Sequence, residues 1–303
     1  MIPRKLNKGD RIGMVSPSCP PNREAVQKVI PLLESLGFTI VAGKYVYSTT
    51  WGYAASPQEK AEDINTMFAD ESIKAIMASA GGYTGASCLP YLDWEVIAAT
   101  PKIFMGMSDI TPLLHAIYAK TGLVTFHGTD VHSWDTSTPY ETQEFIARLV
   151  NGETGLLRKN STWKTVRGGQ AEGKLLGGNL NCLLKLAGTP YWPDFSDSIL
   201  ILEAVDQLPK SLDHLITQLK QIGVFEQVKG VVVGYIAGLQ DKEDAPIQME
   251  VILLRLASEY NFPILKINEF GHRRPNTILP IGVRVSVDSD GQEIEVLEKC
   301  VLV

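Results

Sequence analysis

The chain has 303 residues, 45% hydrophobic and 20% charged, and its Lys+Arg 28 against Asp+Glu 34 leave a net charge of −6. That length suits two domains or one large one, with roughly 75% of the unfolded surface buried. Polyanion binding needs concentrated cations to release counterions, and no Lys/Arg cluster supplies them, which excludes nucleic acid as a main partner.

No apolar run approaches the ~20 residues of a membrane span; the longest lie around Ser198–Leu202 and Val231–Ile236. The basic start, Met1 to Lys8, is not followed by an apolar stretch of signal-peptide length. Cys19, Cys88, Cys182 and Cys300 are scattered without a CxxC pair, the pattern of free thiols in a reducing compartment. The expectation is a cytoplasmic α/β protein with no membrane partner and no cofactor.

Arg11–Val15 reads as a strand. Val26, Val29, Ile30, Leu33 and Leu36 then recur at helical spacing up to Gly37, with Pro31 expected to kink or interrupt the helix. Phe38–Val41 reads as strand, Pro57–Phe68 as helix, Ile73–Met77 and Lys102–Met105 as strands, Asp109–Lys120 as helix and Leu123–Phe126 as strand. Such alternation predicts a mostly parallel sheet with helices on both faces. Residues 130–170 are polar, with one helix near Tyr140–Val150, and the boundary between domains is placed at 155–170. Beyond it come a glycine turn at Gly177-Gly178, a short leucine-rich helix, a strand at Ile199–Leu202, a helix at Ser211–Ile222, a strand at Gly230–Tyr235 and a helix at Met249–Tyr260. Val283–Val287 and Ile294–Leu297, alternating around Asp288-Ser289-Asp290-Gly291, read as a hairpin.

Four stretches carry chemistry. In Phe104-Met105-Gly106-Met107-Ser108-Asp109-Ile110-Thr111 an apolar strand meets a serine and then a helix, as in a nucleophile elbow, although Ile110 stands where the second glycine belongs. On this stretch alone a plain helix N-cap is the better reading. Ala80-Gly81-Gly82-Tyr83-Thr84-Gly85 brings backbone N–H groups close to a ligand, or is simply a tight turn. Glu203 ends the apolar Leu200-Ile201-Leu202, a place where α/β proteins build sites and also where an exposed charge stops a strand. His272, in Glu269-Phe270-Gly271-His272-Arg273-Arg274-Pro275-Asn276, titrates near neutrality and suits a general base, or is an exposed loop histidine. His127, Asp130 and His132 form a nonstandard metal pattern, and His115 and His214 fall in helical stretches.

Each stretch is weak alone, but their order resembles the LD-carboxypeptidase family of serine peptidases, which includes muropeptide LD-carboxypeptidases and microcin C self-immunity carboxypeptidases. The resemblance runs from Lys8-Gly9-Asp10-Arg11-Ile12-Gly13 through Leu176-Gly177-Gly178-Asn179-Leu180 and Leu215–Lys220 to Leu279-Pro280-Ile281-Gly282. It implies a Rossmann-like, mostly parallel N-terminal domain over residues 1–160 carrying the nucleophile. A smaller C-terminal α/β domain over 161–303 then carries a glutamate and a histidine, and the active site lies in the groove between the two. Carried across position by position, it makes Ser108 the nucleophile, His272 the base, Glu203 its orienting carboxylate, Gly82 and Asp109 the backbone oxyanion donors, and Gly81 and Tyr83 substrate contacts. It further implies a homodimer. Where muropeptide enzymes often place an arginine before the glycine pair, this chain has Ala80, so Arg273 or Arg274 is a candidate for binding a substrate carboxylate. Asp93-Trp94-Glu95-Val96-Ile97 and Pro101-Lys102-Ile103-Phe104 resemble the microcin-immunity branch more.

The expected activity is a serine carboxypeptidase cleaving an amide in a small peptide-like substrate, typically the L,D bond of a murein tetrapeptide. The alternatives are an amidase acting on an aminoacyl- or peptidyl-nucleotide and, more remotely, a non-catalytic ligand-binding module. A metal-dependent hydrolase built on His127, Asp130 and His132 ranks last.

Overall fold

The computed structural model describes residues 1–242, 245 and 247–303. In chain order the strands of the first half are β1 (Arg11–Val15), β2 (Thr39–Ala42), β3 (Ile73–Ala78), β4 (Ile103–Gly106) and β5 (Thr125–His127). Among them run the helices α1 (Arg23–Ser35), α2 (Pro57–Ala69), α3 (Trp94–Ala99) and α4 (Thr111–Thr121), and α5 (Pro139–Phe145) follows. The second half contains β6 (Gly155–Leu156), β7 (Lys164–Arg167), β8 (Gln170–Asn179), α6 (Leu180–Leu184), β9 (Ser198–Val205), α7 (Pro209–Gln221), β10 (Val228–Ala237), α8 (Met249–Leu256) and β11 (Ile264–Gly271). It closes with β12 (Leu279–Ile281), β13 (Arg284–Asp288) and β14 (Glu293–Val296).

Two sheets result. The first has the order β12-β5-β4-β3-β1-β2 and is parallel except at β12, which returns from the C-terminal part to pair antiparallel with β5. The second has the order β6-β14-β13-β8-β9-β10-β11-β7, with a parallel centre β8-β9-β10-β11 and antiparallel flanks. Central strands buried on both faces read as continuous apolar runs, as Ser198–Val205 does. The buried apolar side chains of both sheets join in one continuous core.

Local chemistry fixes the helix starts. Asn22 caps α1 by accepting the N–H groups of Glu24 and Ala25, and Ser56 with Glu59 forms a reciprocal capping box at α2, with Pro57 opening the helix. α1 runs past Pro31 to Ser35, so that proline does not interrupt it. Gly177 and Gly178 are not a turn: both lie inside β8 with φ of 121° and 138°. The expected helix near Tyr140–Val150 is α5 followed by a wide turn over Ile146–Asn151. The β13–β14 hairpin forms as expected.

Candidate active site

β4 delivers Ser108. The turn after it is tight because Gly106 has no room for a side chain: a Cβ there would stand 2.8 Å from Ile110 Cγ2. Ser108 then takes φ 58°, a left-handed conformation that costs a non-glycine residue energy. The strained residue leads directly into a short 3-10 turn, Ser108–Ile110, and on into α4. The N-cap reading is therefore corrected, since the cap position falls on Met107 and the Ser108 hydroxyl faces a histidine instead.

That histidine is His272, the residue after β11. Its Nε2 lies 2.9 Å from Ser108 Oγ and its Nδ1 lies 2.7 Å from Glu203 Oε2. Glu203 sits within β9, two residues before its end, and is fully buried. Its other oxygen accepts a hydrogen bond from Asn179 Nδ2 at 3.0 Å. A carboxylate facing Nδ1 puts the ring proton there and leaves Nε2 free to accept from the serine hydroxyl. Burial works against a charged ring at His272, but the Glu203 charge and hydrogen bond, with Asp130 and Asp206 beyond, outweigh it and hold the pKa above the usual histidine range.

The glycine loop lies over the serine. A Cβ on Gly81 would stand 2.9 Å from Ser108 Cβ and 3.7 Å from the Asp109 nitrogen, and Gly82 has φ 144° and packs on Ser18 and Cys19. The buried Asp109 carboxylate pins this loop. Its Oδ2 accepts from Ser18 Oγ at 2.5 Å and from the Gly85 N–H at 2.7 Å, and its Oδ1 accepts from Lys185 Nζ. Lys185 also donates to the Tyr83 carbonyl at 3.1 Å. Sequence reasoning singled out only the backbone of Asp109 and missed this side chain, because nothing in the sequence marks that acid as buried against the glycine loop.

A second set of bonds holds the two sheets in register at the site. His115 Nε2 accepts from the Gly177 N–H at 2.8 Å, so its Nδ1 carries the proton and donates to the Thr111 carbonyl at 2.9 Å. The Asn179 N–H donates to Thr111 Oγ1 at 3.2 Å. α4, which follows the serine, is thereby tied to the end of β8, the neighbour of the strand bearing Glu203. His115, Thr111 and Asn179 were not picked out as site residues in the sequence, because neither a histidine or threonine in a helix nor an asparagine at a strand end carries a periodicity that marks a cross-sheet bond.

The other candidates stand apart. His127 is buried edge-on against Phe270, centroids 5.8 Å apart, with both ring nitrogens unpartnered, and burial pushes its pKa down to about 4. His132 Nδ1 faces the Ser79 carbonyl at 3.0 Å and Asp130 Oδ1 at 3.3 Å. Among the described residues no three His, Cys, Asp or Glu side chains are gathered as a metal would need. Tyr83 is 85% exposed at the rim.

Ser108 lines two cavities. One, of about 450 Å³, is walled by Gly81, Asp130, His272, Arg274 and Asn276 among others. The second, of about 310 Å³, is walled by Gly82, Tyr83, Asn179, Lys185 and Asp206 among others.

Residues 12–128 match the model of the LD-carboxypeptidase N-terminal domain, and residues 172–287 match that of the C-terminal domain. The chain belongs to the LD-carboxypeptidase family. It is 31% identical over 292 residues to the probable murein peptide carboxypeptidase of Bacillus subtilis (strain 168), covering 95% of this chain and 91% of that one. It is 29% identical over 334 residues to the microcin C7 self-immunity protein MccF of Escherichia coli, covering 99% and 96%. The solved structure of MccF in complex with aspartyl sulfamoyl adenosine superposes with a TM-score of 0.91 at 26% identity, covering all of both chains. The expected fold, a parallel-sheet N-terminal part joined to a C-terminal α/β part, is that of these family structures.

Proposed function

We propose that this member of the LD-carboxypeptidase family is a serine-type carboxypeptidase in which Ser108, His272 and Glu203 act as nucleophile, general base and orienting carboxylate. The hydrogen-bonded chain from Ser108 Oγ through the imidazole to Glu203 carries this reading. As Ser108 Oγ attacks the scissile carbonyl, His272 Nε2 takes the hydroxyl proton. When the C–N bond breaks, that proton passes to the departing amine, leaving an ester on Ser108. Water, deprotonated by the same imidazole, hydrolyses the ester and releases the serine. Glu203 orients the ring and stabilises the imidazolium. The backbone N–H groups of Gly82 and Asp109 take the oxyanion, each worth on the order of 3–4 kcal/mol of barrier stabilisation. Gly81 and Tyr83 flank the bound substrate.

The substrate read here is a small peptide of the murein tetrapeptide type, in keeping with the Bacillus subtilis relative. A second reading, an aminoacyl- or peptidyl-nucleotide amidase, is favoured by the likeness to MccF in its aspartyl sulfamoyl adenosine complex. We read the chain as two units, 1–160 and 161–303, a division from which β6, in the second sheet, and β12, in the first, depart, and as a cytoplasmic homodimer that recycles peptidoglycan fragments without a membrane or nucleic-acid partner. Among the described residues no helix is long and apolar enough to cross a membrane.

Mass spectrometry of products from a murein tetrapeptide and from aspartyl sulfamoyl adenosine, with Ser108→Ala alongside, tests the reading. Loss of terminal D-alanine that disappears in the variant supports the peptidase, and serine-dependent release of aspartate supports the amidase. Hydrolysis that persists in Ser108→Ala overturns both.

A further inference from the structure

We propose that the larger cavity holds the departing residue of the substrate and that Arg274 is the group that binds this residue's free carboxylate, which makes Arg274 the determinant of carboxypeptidase specificity. The inference rests on the serine peptidase reading and adds the direction in which the substrate lies.

The direction follows from the proton. The group that protonates the departing amine must face it, and His272 lines the larger cavity. The glycine loop offers Gly82 to the smaller cavity, beside Tyr83, Asn179 and Lys185. Ser108 lies between and lines both. A carbonyl attacked by Ser108 with its oxygen toward Gly82 therefore sends its nitrogen toward His272 and the larger cavity, and the acyl part occupies the smaller one.

A carboxypeptidase substrate ends one residue beyond the scissile bond, so its carboxylate falls within the departing residue's cavity. Arg274 is the one permanent cation among the residues lining that cavity. Its guanidinium is fixed but not used up. Nε donates to Glu141 Oε1 at 2.9 Å, and Nη1 donates to Thr136 Oγ1 at 2.6 Å and to the Ser133 carbonyl. Nη2 is buried and has no acceptor, a costly state for a charged donor, and since the side chain keeps 21% of its surface open, a small turn of the guanidinium brings that donor to a carboxylate in the cavity.

The acids of the cavity are arranged around this. Asp130 is occupied by the Ser133 N–H and by His132, and it stands near enough for its charge to be felt at His272, where the new ammonium appears. Asp135 is exposed. Lys185, the cation of the other cavity, is held by Asp109 and by the Tyr83 carbonyl.

The test compares kcat/KM for two peptides that differ only in ending in a free carboxylate or a carboxamide. Wild type is expected to prefer the free acid at least tenfold, and Arg274→Gln to bring that ratio near one. Because Arg274→Gln leaves Glu141 buried and unpaired, the double variant Arg274→Gln/Glu141→Gln is measured as well, and it should show the same collapsed ratio. A ratio preserved in a folded Arg274 variant, or one that collapses in Lys185→Met instead, overturns the proposal. A wild-type enzyme that cleaves both peptides equally well overturns it and leaves the serine mechanism standing. Cleavage of neither peptide removes both.

Discussion

Gly81 stands directly against Ser108: a Cβ at position 81 would lie 2.9 Å from Ser108 Cβ and 3.1 Å from its Oγ. The backbone there has no positive φ, so alanine meets no conformational penalty, only this contact. Gly81→Ala is therefore expected to fold with a melting temperature close to wild type and to lose about 100-fold or more in kcat/KM, since even small misplacement of a reacting group has that cost. Thermal melts and steady-state kinetics on the same preparation check it; an active Gly81→Ala enzyme contradicts the placement of the loop.

The raised pKa of His272 sets the pH profile. The base must be neutral, so kcat/KM should rise with pH and reach half its plateau above the ordinary histidine value of about 6.5. Glu203→Gln removes the main cause of the rise while burial remains, so the limb should move to lower pH and the plateau should fall by about 10²–10⁴. The stability sign is the opposite of the activity sign. A pKa raised on folding stabilises the protein fully below about pH 6.5, and that contribution is lost as pH climbs through the folded value. A profile whose midpoint is the same in Glu203→Gln and wild type contradicts the pairing.

Two other histidines act in acid. Burial pushes His115 and His127 down to about 4, so both are neutral in the folded state at neutral pH. Between about pH 6.5 and 4 the unfolded chain binds more protons than the folded one, so their contribution is complete above about 6.5 and is lost as pH falls. Urea unfolding at several pH values should show this decline, and His127→Leu should flatten it. Because neither ring nitrogen of His127 has a partner, the same variant should be no less stable than wild type at neutral pH.

Asn179 does two jobs that one pair of variants separates. Its Oδ1 caps α6 by accepting the Cys182 N–H at 3.0 Å, and its Nδ2 donates to Glu203. Asn179→Ala should lose about 0.5–2 kcal/mol of stability together with activity. Asn179→Ser restores a cap and should recover the melting temperature but not kcat. Recovery of both limits the residue to capping.

Much of this was legible in the sequence. Strand–helix alternation gave the parallel sheet, because β1, β3 and β4 are buried on both faces and so read as apolar runs. In the second half β9, α7, β10 and α8 were placed with boundaries shifted by a few residues, enough to put Glu203 inside β9 rather than at its end, whereas β8 was read as a polar stretch and a glycine turn because its small residues carry no apolar run. What single-sequence patterns do not encode is which distant residues meet. The His115–Gly177 bond spans 62 positions and the Arg274–Glu141 bond 133, and neither follows from periodicity. The return of β12 to the first sheet is of the same kind, since a three-residue strand carries no label for its partner. The strained φ of Ser108 was half legible for a different reason: the stretch reads as a nucleophile elbow, but serine before a helix is also a common way to cap one.

The most direct test of the account is the turnover number of Ser108→Ala on a murein tetrapeptide, measured alongside its melting temperature. Loss of hydrolysis by about 10³-fold or more in a variant that melts with wild type is the predicted result. A folded Ser108→Ala enzyme that releases D-alanine at the wild-type rate contradicts it.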